Sequence, residues 1–388
     1  MQLSNQEAER LVRDGVEALG QGRAAEARER FERVTATGRA NSQIWLLLAT
    51  ACRAIGDRDA EERAVDSLLA LEPRAIRGHI MKGDCRNDAG DKSAALGLYK
   101  SALRIAAGQN LPNELAAELR RVDTASTELA AHFEAQREIA LNAQGLDRGN
   151  RSSRFQRSLN ILSGREQIFV QEPTAYYYPE LPQIPYFDPT SFRWAAQVEA
   201  AANEIRKEIQ VLLNKGTDDF LPYIRSDPNL PRLDDNILLD NRDWSALFLC
   251  ENGRRFEDTI ARCPNTWNAV QNAPLPIIAN SPTVMFSLLR AGAHITPHTG
   301  THNTRLTCHL PLIVPPDCFF RVGSEVRQWQ EGKLLIFDDT IEHEAWNNSD
   351  RDRVVLIFDI WRPELSEQDK QEIGALFASE QISIEITK

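Results

Sequence analysis

Two different rhythms of apolar residues divide this chain. From Glu7 to about Gln109, matching residues recur every 34 positions: Leu11, Trp45 and His79 align, as do Val12, Leu46 and Ile80, and Phe31, Val65 and Tyr99. Gly15, Ala49 and Gly83 keep the same step, and so do Gly22, Gly56 and Gly90. An apolar stripe, small residues where two helices touch and a glycine that ends the first helix predict one helix hairpin per repeat. About three such units are needed before stacked hairpins bury a continuous core. A further helix from Asn113 to about Ala140 is expected to cap the stack, and His79, at a repeat position, reads as a packing residue.

The second rhythm begins after a polar, aperiodic stretch from Asn142 to Arg154 (NAQGLDRGNRSSR). That stretch marks a boundary, with a helical repeat domain over 1–141, a linker over 142–154 and a second domain over 155–388. Helical spacing occupies Phe155 to Leu162 and Ala195 to Asn214, the latter through Val198, Ala201, Ile205, Ile209 and Leu212. Beyond it the period falls to two. Strands are expected at Trp244–Leu249, running into a turn at Glu251-Asn252-Gly253, and at Thr283–Leu289, Arg305–Leu310, Leu334–Phe337 and Arg353–Trp361. Short strands separated by turn residues imply a double-sheet jelly roll. Ser366 to about Phe377 reads as a capped helix outside it. The fold class is therefore α plus β, a helical solenoid followed by a jelly roll.

Composition adds exclusions. The 388 residues are 42% hydrophobic and 26% charged, an ordinary globular balance. A formal charge of −11 argues against nucleic-acid binding, which needs a basic surface. The first residues have no basic region followed by an apolar one, and apolar runs such as Ile44 to Ala51 are too short for a membrane span. Six cysteines without CxxC spacing fit reduced thiols and a cytoplasmic location.

The candidate chemistry lies between Ala291 and Trp361, which holds five of the seven histidines. His294, His298 and His302 are four apart, the spacing of a metal-binding helix face, which would suit a zinc hydrolase. Local propensity opposes a helix: Ile295, Thr296 and Thr299 are β-branched, and Pro297 and Gly300 would break it. A strand entering a turn at Gly300 fits better and points His298 inward. In RLTCHL, Arg305, Thr307 and His309 share one face, with Leu306, Cys308 and Leu310 on the other. Arg353, Val355, Ile357 and Asp359 likewise share a face.

His298-Thr-Gly300, the RLTCH strand, FDDTIEHEAW with His343, and Arg353 ten residues later together resemble the aspartyl/asparaginyl β-hydroxylase family. The resemblance runs from about Phe155 to Leu365. The period of the first third and its Leu71-Glu72-Pro73 resemble tetratricopeptide repeats, which several members of that family carry. The resemblance implies a double-stranded β-helix (cupin-like) oxygenase using Fe(II), 2-oxoglutarate and O2. It implies that His298 and His343 bind the metal, with Gly300 where most such oxygenases have a carboxylate ligand and water filling the vacancy. Asp339, four residues before His343, is the rival third ligand.

The resemblance also implies that Arg353 binds the distal carboxylate of 2-oxoglutarate, with Ser287 beside it and His309 nearby. The competing reading of Arg353 is a surface ion pair with Asp350 or Asp352. Arg305 and His302 fall on the substrate side, with Arg305 reading a carboxylate or carboxamide. Two departures stand out: Thr307 replaces the second arginine of the Arg-x-Arg-x-His strand of animal relatives, and His302 replaces their threonine. The expected activity is hydroxylation of an aspartyl or asparaginyl residue in a peptide or protein, with the repeats as a possible partner surface. The alternatives are hydroxylation of a small molecule or lipid acyl chain, and a non-catalytic interaction protein.

Overall fold

A computed structural model of the chain describes residues 3–226, 237–279 and 281–386. The chain separates into two compact units, Met1–Ser163 and Gly164–Lys388.

The first unit is a run of helix hairpins: α1 (Asn5–Gly20) with α2 (Ala24–Thr35), α3 (Ser42–Ala54) with α4 (Arg58–Leu71), and α5 (Ile76–Asp88) with α6 (Lys92–Ala106). The 34-residue step has a visible cause. Gly22, Gly56 and Gly90 all sit at φ between 76° and 83°, the left-handed conformation that lets each hairpin turn. Gly15 and Gly83 are small for a different reason. A Cβ on Gly15 would lie 2.7 Å from Phe31 Cε1, and one on Gly83 would lie 2.5 Å from Tyr99 Cε1. The aromatic ring of the second helix thus packs directly against the backbone of the first. The 31-residue α7 (Asn113–Ala143) closes the stack, packing Leu119, Val122 and Leu129 with Ile80, Ala95 and Tyr99. His79 bonds the Pro73 carbonyl through Nε2 at 2.9 Å. Of the stretch expected as a linker, only 144–152 lies between α7 and α8 (Ser153–Leu162), and α8 belongs to the first unit.

The second unit contains two antiparallel sheets. The larger has eight strands: β1 (Tyr186–Phe187), β2 (Leu221–Pro222), β3 (Trp244–Glu251), β4 (Arg254–Arg255), β5 (Val284–Leu289), β7 (Arg305–Ile313), β10 (Leu335–Phe337) and β12 (Arg353–Trp361). Their order is β1-β10-β7-β12-β5-β3-β2, with β4 paired to β3. The smaller sheet runs β6 (His294–His298), β11 (His343–Asn347), β8 (Cys318–Val322), β9 (Glu325–Gln328). From β5 onward the chain crosses repeatedly from one sheet to the other. Asn252 and Gly253, both at positive φ, make the β3–β4 turn.

Period-two alternation sorts residues between the faces of the larger sheet. Leu306, Cys308 and Leu310 of β7, with Phe286, Leu288, Leu356 and Phe358, pack outward under α9 (Ala195–Ala200), α10 (Ala202–Asn214) and α12 (Pro264–Val270). Between these helices lies α11 (Glu257–Arg262), whose Ile260 joins the same cluster. The helix expected over Ala195 to Asn214 is interrupted at Ala201. Its N–H is shared among the carbonyls of Gln197, Val198 and Glu199, and α10 starts afresh. The last helix, α13 (Glu367–Ile386), is longer than expected but starts as expected: Ser366 Oγ donates to Asp369 Oδ2 at 2.6 Å and accepts from the Asp369 amide at 3.2 Å. Among the described residues no helix is long and apolar enough to cross a membrane, and all six cysteines are buried free thiols.

The glycine–aromatic contacts give a direct prediction. Gly83→Ala should destabilise the helical unit by about 1–3 kcal/mol, since overpacking forces the Tyr99 ring to move. Denaturant unfolding followed by circular dichroism measures this, and an unchanged midpoint would mean the α5–α6 contact is looser than described.

Candidate active site

The inward faces of the two sheets enclose a cavity of about 300 Å³. Its wall includes His298, Gly300, Arg305, Thr307, His309, Asp339, His343, Ser287, Arg353 and Asp359. The strand register explains why. His298 and His343 are cross-strand partners on β6 and β11, and their ring centroids lie 4.1 Å apart. His309 pairs with Ile357 and Thr307 with Asp359 across β7 and β12. Ser287 of β5 faces Val355, two residues from Arg353.

The two paired histidines are held alike. His298 Nδ1 lies 2.8 Å from the Thr296 carbonyl, and His343 Nδ1 lies 3.2 Å from the Ile341 carbonyl. A carbonyl can only accept, so each Nδ1 carries the proton and each Nε2 carries the lone pair. Burial holds both rings neutral: His298 is pushed below the usual histidine range, and His343 well below it by burial and then by His298. Neutral imidazoles with one nitrogen anchored to a carbonyl are what a metal ion requires of its ligands. Among the described residues, however, no three His, Cys, Asp or Glu side chains are grouped so as to hold a metal ion.

Gly300 shows where a third side chain would go. A Cβ there would fall 2.3 Å from Asp339 Oδ2, so the Asp339 carboxylate fills that space. Asp339 is fixed by its neighbours. The Gly300 amide donates to its carbonyl at 2.7 Å. Asp338 beside it is locked by Arg362 Nη1 at 2.6 Å and Gln171 Nε2 at 2.5 Å. Burial pushes the Asp339 carboxyl up to about 7, against the pull of Arg305.

Arg353 is only 1% exposed, and no carboxylate faces it among the described residues. Asp352, one of the ion-pair partners considered for it, bonds Arg290 at 2.6 Å instead. The surface ion-pair reading of Arg353 is therefore overturned. Its Nη2 donates to Ser287 Oγ at 3.3 Å, its Nε has no partner, and its guanidinium carbon lies 4.7 Å over the Trp329 ring. Burial pushes its pKa down to about 10. Ser287 Oγ also accepts from Trp244 Nε1 at 3.2 Å. With both lone pairs occupied, its hydroxyl proton is left to donate outward. His309 has an unpartnered buried Nδ1 and is kept neutral by burial and then by Arg353.

The remaining expected residues sit apart. Arg305 reaches the cavity wall but is tied to Asp359, Ser281, Thr301 and His302. His302 is outside the cavity lining and packs edge-on against Phe377. His294 stacks on Trp346 and bonds Glu344 at 2.9 Å, away from the other histidines.

Similarity to known proteins now bears on this geometry. Residues 199–363 match the family model described as aspartyl/asparaginyl beta-hydroxylase. The ornithine lipid ester-linked acyl 2-hydroxylase of Rhizobium tropici is 37% identical over 222 residues, covering 56% of this chain and 72% of that protein. This chain belongs to the aspartyl/asparaginyl β-hydroxylase family. The human aspartyl/asparaginyl beta-hydroxylase is 31% identical over 233 residues, covering 60% of this chain but only 28% of its own length. Among solved structures, PcrH from Pseudomonas aeruginosa matches at 18% identity and a TM-score of 0.30, covering 33% of this chain and 94% of that one.

Family membership makes hydroxylation the chemistry to explain. Sequence reasoning missed Trp329, whose aromatic face lies against Arg353, and read Trp244 only as a strand residue. Nothing in the residues around either one marks it, so only the buried guanidinium and hydroxyl they touch reveal their place.

The Asp339–Gly300 contact predicts non-additive stability. Gly300→Ala should lower the melting temperature of the metal-free protein, and Asp339→Gly in the same chain should recover most of the loss. A coupling of about 1–3 kcal/mol in the double-mutant cycle is expected. Simple additivity would show that the two residues do not compete for one space.

Proposed function

We propose that this chain is an Fe(II)- and 2-oxoglutarate-dependent hydroxylase acting on an aspartyl or asparaginyl residue of a peptide or protein. The observation that carries the reading is Arg353. A fully buried guanidinium without a counter-ion costs several kcal/mol of desolvation, and a bound anion at the cavity wall would offset it. A planar guanidinium takes a carboxylate through two parallel hydrogen bonds. The free Ser287 hydroxyl proton adds a third donor. The distal carboxylate of 2-oxoglutarate fits this arrangement.

The donor set also fits a ferrous ion. His298 and His343 would hold it through Nε2, their rings oriented by the Thr296 and Ile341 carbonyls. When bound, Fe(II) with 2-oxoglutarate and O2 supplies the oxidising chemistry that turns a C–H into a C–OH. The protein's part is positioning. Arg353, Ser287 and His309 fix the cosubstrate at one end, while Phe320 and Phe337 keep that end apolar around His309. Arg305 and Thr307 line the other end, where the substrate side chain would enter. The repeated crossing of the chain between two sheets supports a double-stranded β-helix, and the stacked helix hairpins are a candidate peptide-binding surface.

A second reading, hydroxylation of a lipid acyl chain, is favoured by the 37% identity to the Rhizobium tropici enzyme. Succinate release measured with peptides and with acylated lipids separates the two.

Arg353→Ala should raise the 2-oxoglutarate requirement about 100-fold or more, the scale of losing a buried charge-assisted pair. Fe(II) or Mn(II) binding should be retained. His343→Ala should do the reverse and lose the metal. Isothermal titration of metal and cosubstrate into each variant checks both, with Arg353→Lys as the conservative control. Loss of metal affinity in Arg353→Ala, or an unchanged cosubstrate requirement, would refute the assignment.

A further inference from the structure

The cavity holds two arginines in opposite states, and the difference bears on which side chain the substrate presents. Arg353 has an unpartnered Nε and, among the described residues, no carboxylate beside it. Arg305 is nearly saturated. Its Nη1 donates to Asp359 Oδ2 at 3.2 Å and to Ser281 Oγ at 3.1 Å. Its Nη2 donates to Thr301 Oγ1 at 3.0 Å and lies 2.6 Å from His302 Nδ1. That nitrogen can accept because His302 is neutral: burial, and then Arg305 itself, push it down to about 4. A guanidinium with four of its five N–H groups engaged has no fork left for a carboxylate.

Asp359 is built into the sheet. Its Oδ2 also accepts the Thr283 amide at 3.1 Å, and its own amide donates to the Thr283 carbonyl at 3.3 Å. On β12 it faces Thr307 of β7. Arg305 and Asp359 are both largely buried, with side chains 16% and 14% exposed. Their charges cancel at the substrate end of the cavity. An incoming carboxylate would lose its water and find Asp359 beside the only guanidinium there among the described residues. A carboxamide meets no such penalty and can donate to Asp359.

We infer that Asp359, by neutralising Arg305, sets the site to accept an uncharged carboxamide side chain in preference to a carboxylate. This rests on the peptide-hydroxylase reading above and narrows its substrate class to asparaginyl. Asp359 acts through Arg305 and is a specificity-determining residue.

The test uses the full chain loaded with Mn(II) and 2-oxoglutarate, which leaves the probes unreacted. Two peptide pools, identical except for a central Asn or Asp and with uncharged flanking positions, are titrated into wild type and Asp359→Asn. Wild type should bind the Asn pool about tenfold or more tightly than the Asp pool, and Asp359→Asn should shift that ratio toward Asp by at least about tenfold, the scale of one uncompensated charge. Asp359→Ser, which keeps an acceptor for the Thr283 amide, replaces the Asn variant if the latter does not fold. Equal or tighter binding of Asp by wild type, an unshifted ratio, or no binding of either pool would overturn the inference. The Fe(II)-loaded enzyme separates the two failures. Hydroxylation of the Asp pool would leave the hydroxylase reading standing, whereas absence of any succinate from peptide, lipid or cosubstrate alone would end that reading as well.

Discussion

The rest of the site depends on one unbalanced charge, the buried guanidinium of Arg353. Removing a cation from water without giving it an anion is among the least favourable things a fold can do. Here it is sustained by Trp329 against the guanidinium, Ser287 at one Nη, and the rigid β5–β12 pairing that fixes both residues. Burial pushes its pKa down to about 10, yet the group remains charged at neutral pH. The cavity wall thus carries a permanent cation whose Nε has no hydrogen-bond partner.

Around that point the sheets order the chemistry along β12. Arg353 lies at its start, Ile357 beside His309, and Asp359 beside Thr307. Six residues of strand span about 20 Å, which separates the buried Arg353 from the Arg305–Asp359 pair. The histidine pair belongs to the facing sheet, held by the β6–β11 register and by backbone carbonyls that set both tautomers. Position and protonation state of both rings are thus set by the fold itself.

Much of this was legible in the sequence because period and residue type agreed. The 34-residue step survived as left-handed glycines and ring-on-backbone contacts at Gly15 and Gly83. The alternation in RLTCHL sent Arg305, Thr307 and His309 inward and Leu306, Cys308 and Leu310 outward, as a strand must. What could not be read were the pairings across distance. Nothing local to Asp359 says that its carboxylate is taken by Arg305, and nothing local to Gly300 says that Asp339 fills its side-chain space. Ala195 to Asn214 kept its helical spacing through a break at Ala201 because the pattern reports which residues are buried, not whether each amide finds its usual carbonyl.

The most direct test compares two cosubstrates that differ only at the end Arg353 would bind. Binding of 2-oxoglutarate and of 2-oxobutyrate, which lacks the distal carboxylate, is measured by titration calorimetry on the Mn(II)-loaded wild-type protein. The account predicts that 2-oxoglutarate binds about 100-fold or more tightly, the scale of a buried charge-assisted pair. Equal affinities would mean that Arg353 meets no carboxylate, and that its burial has some other cause.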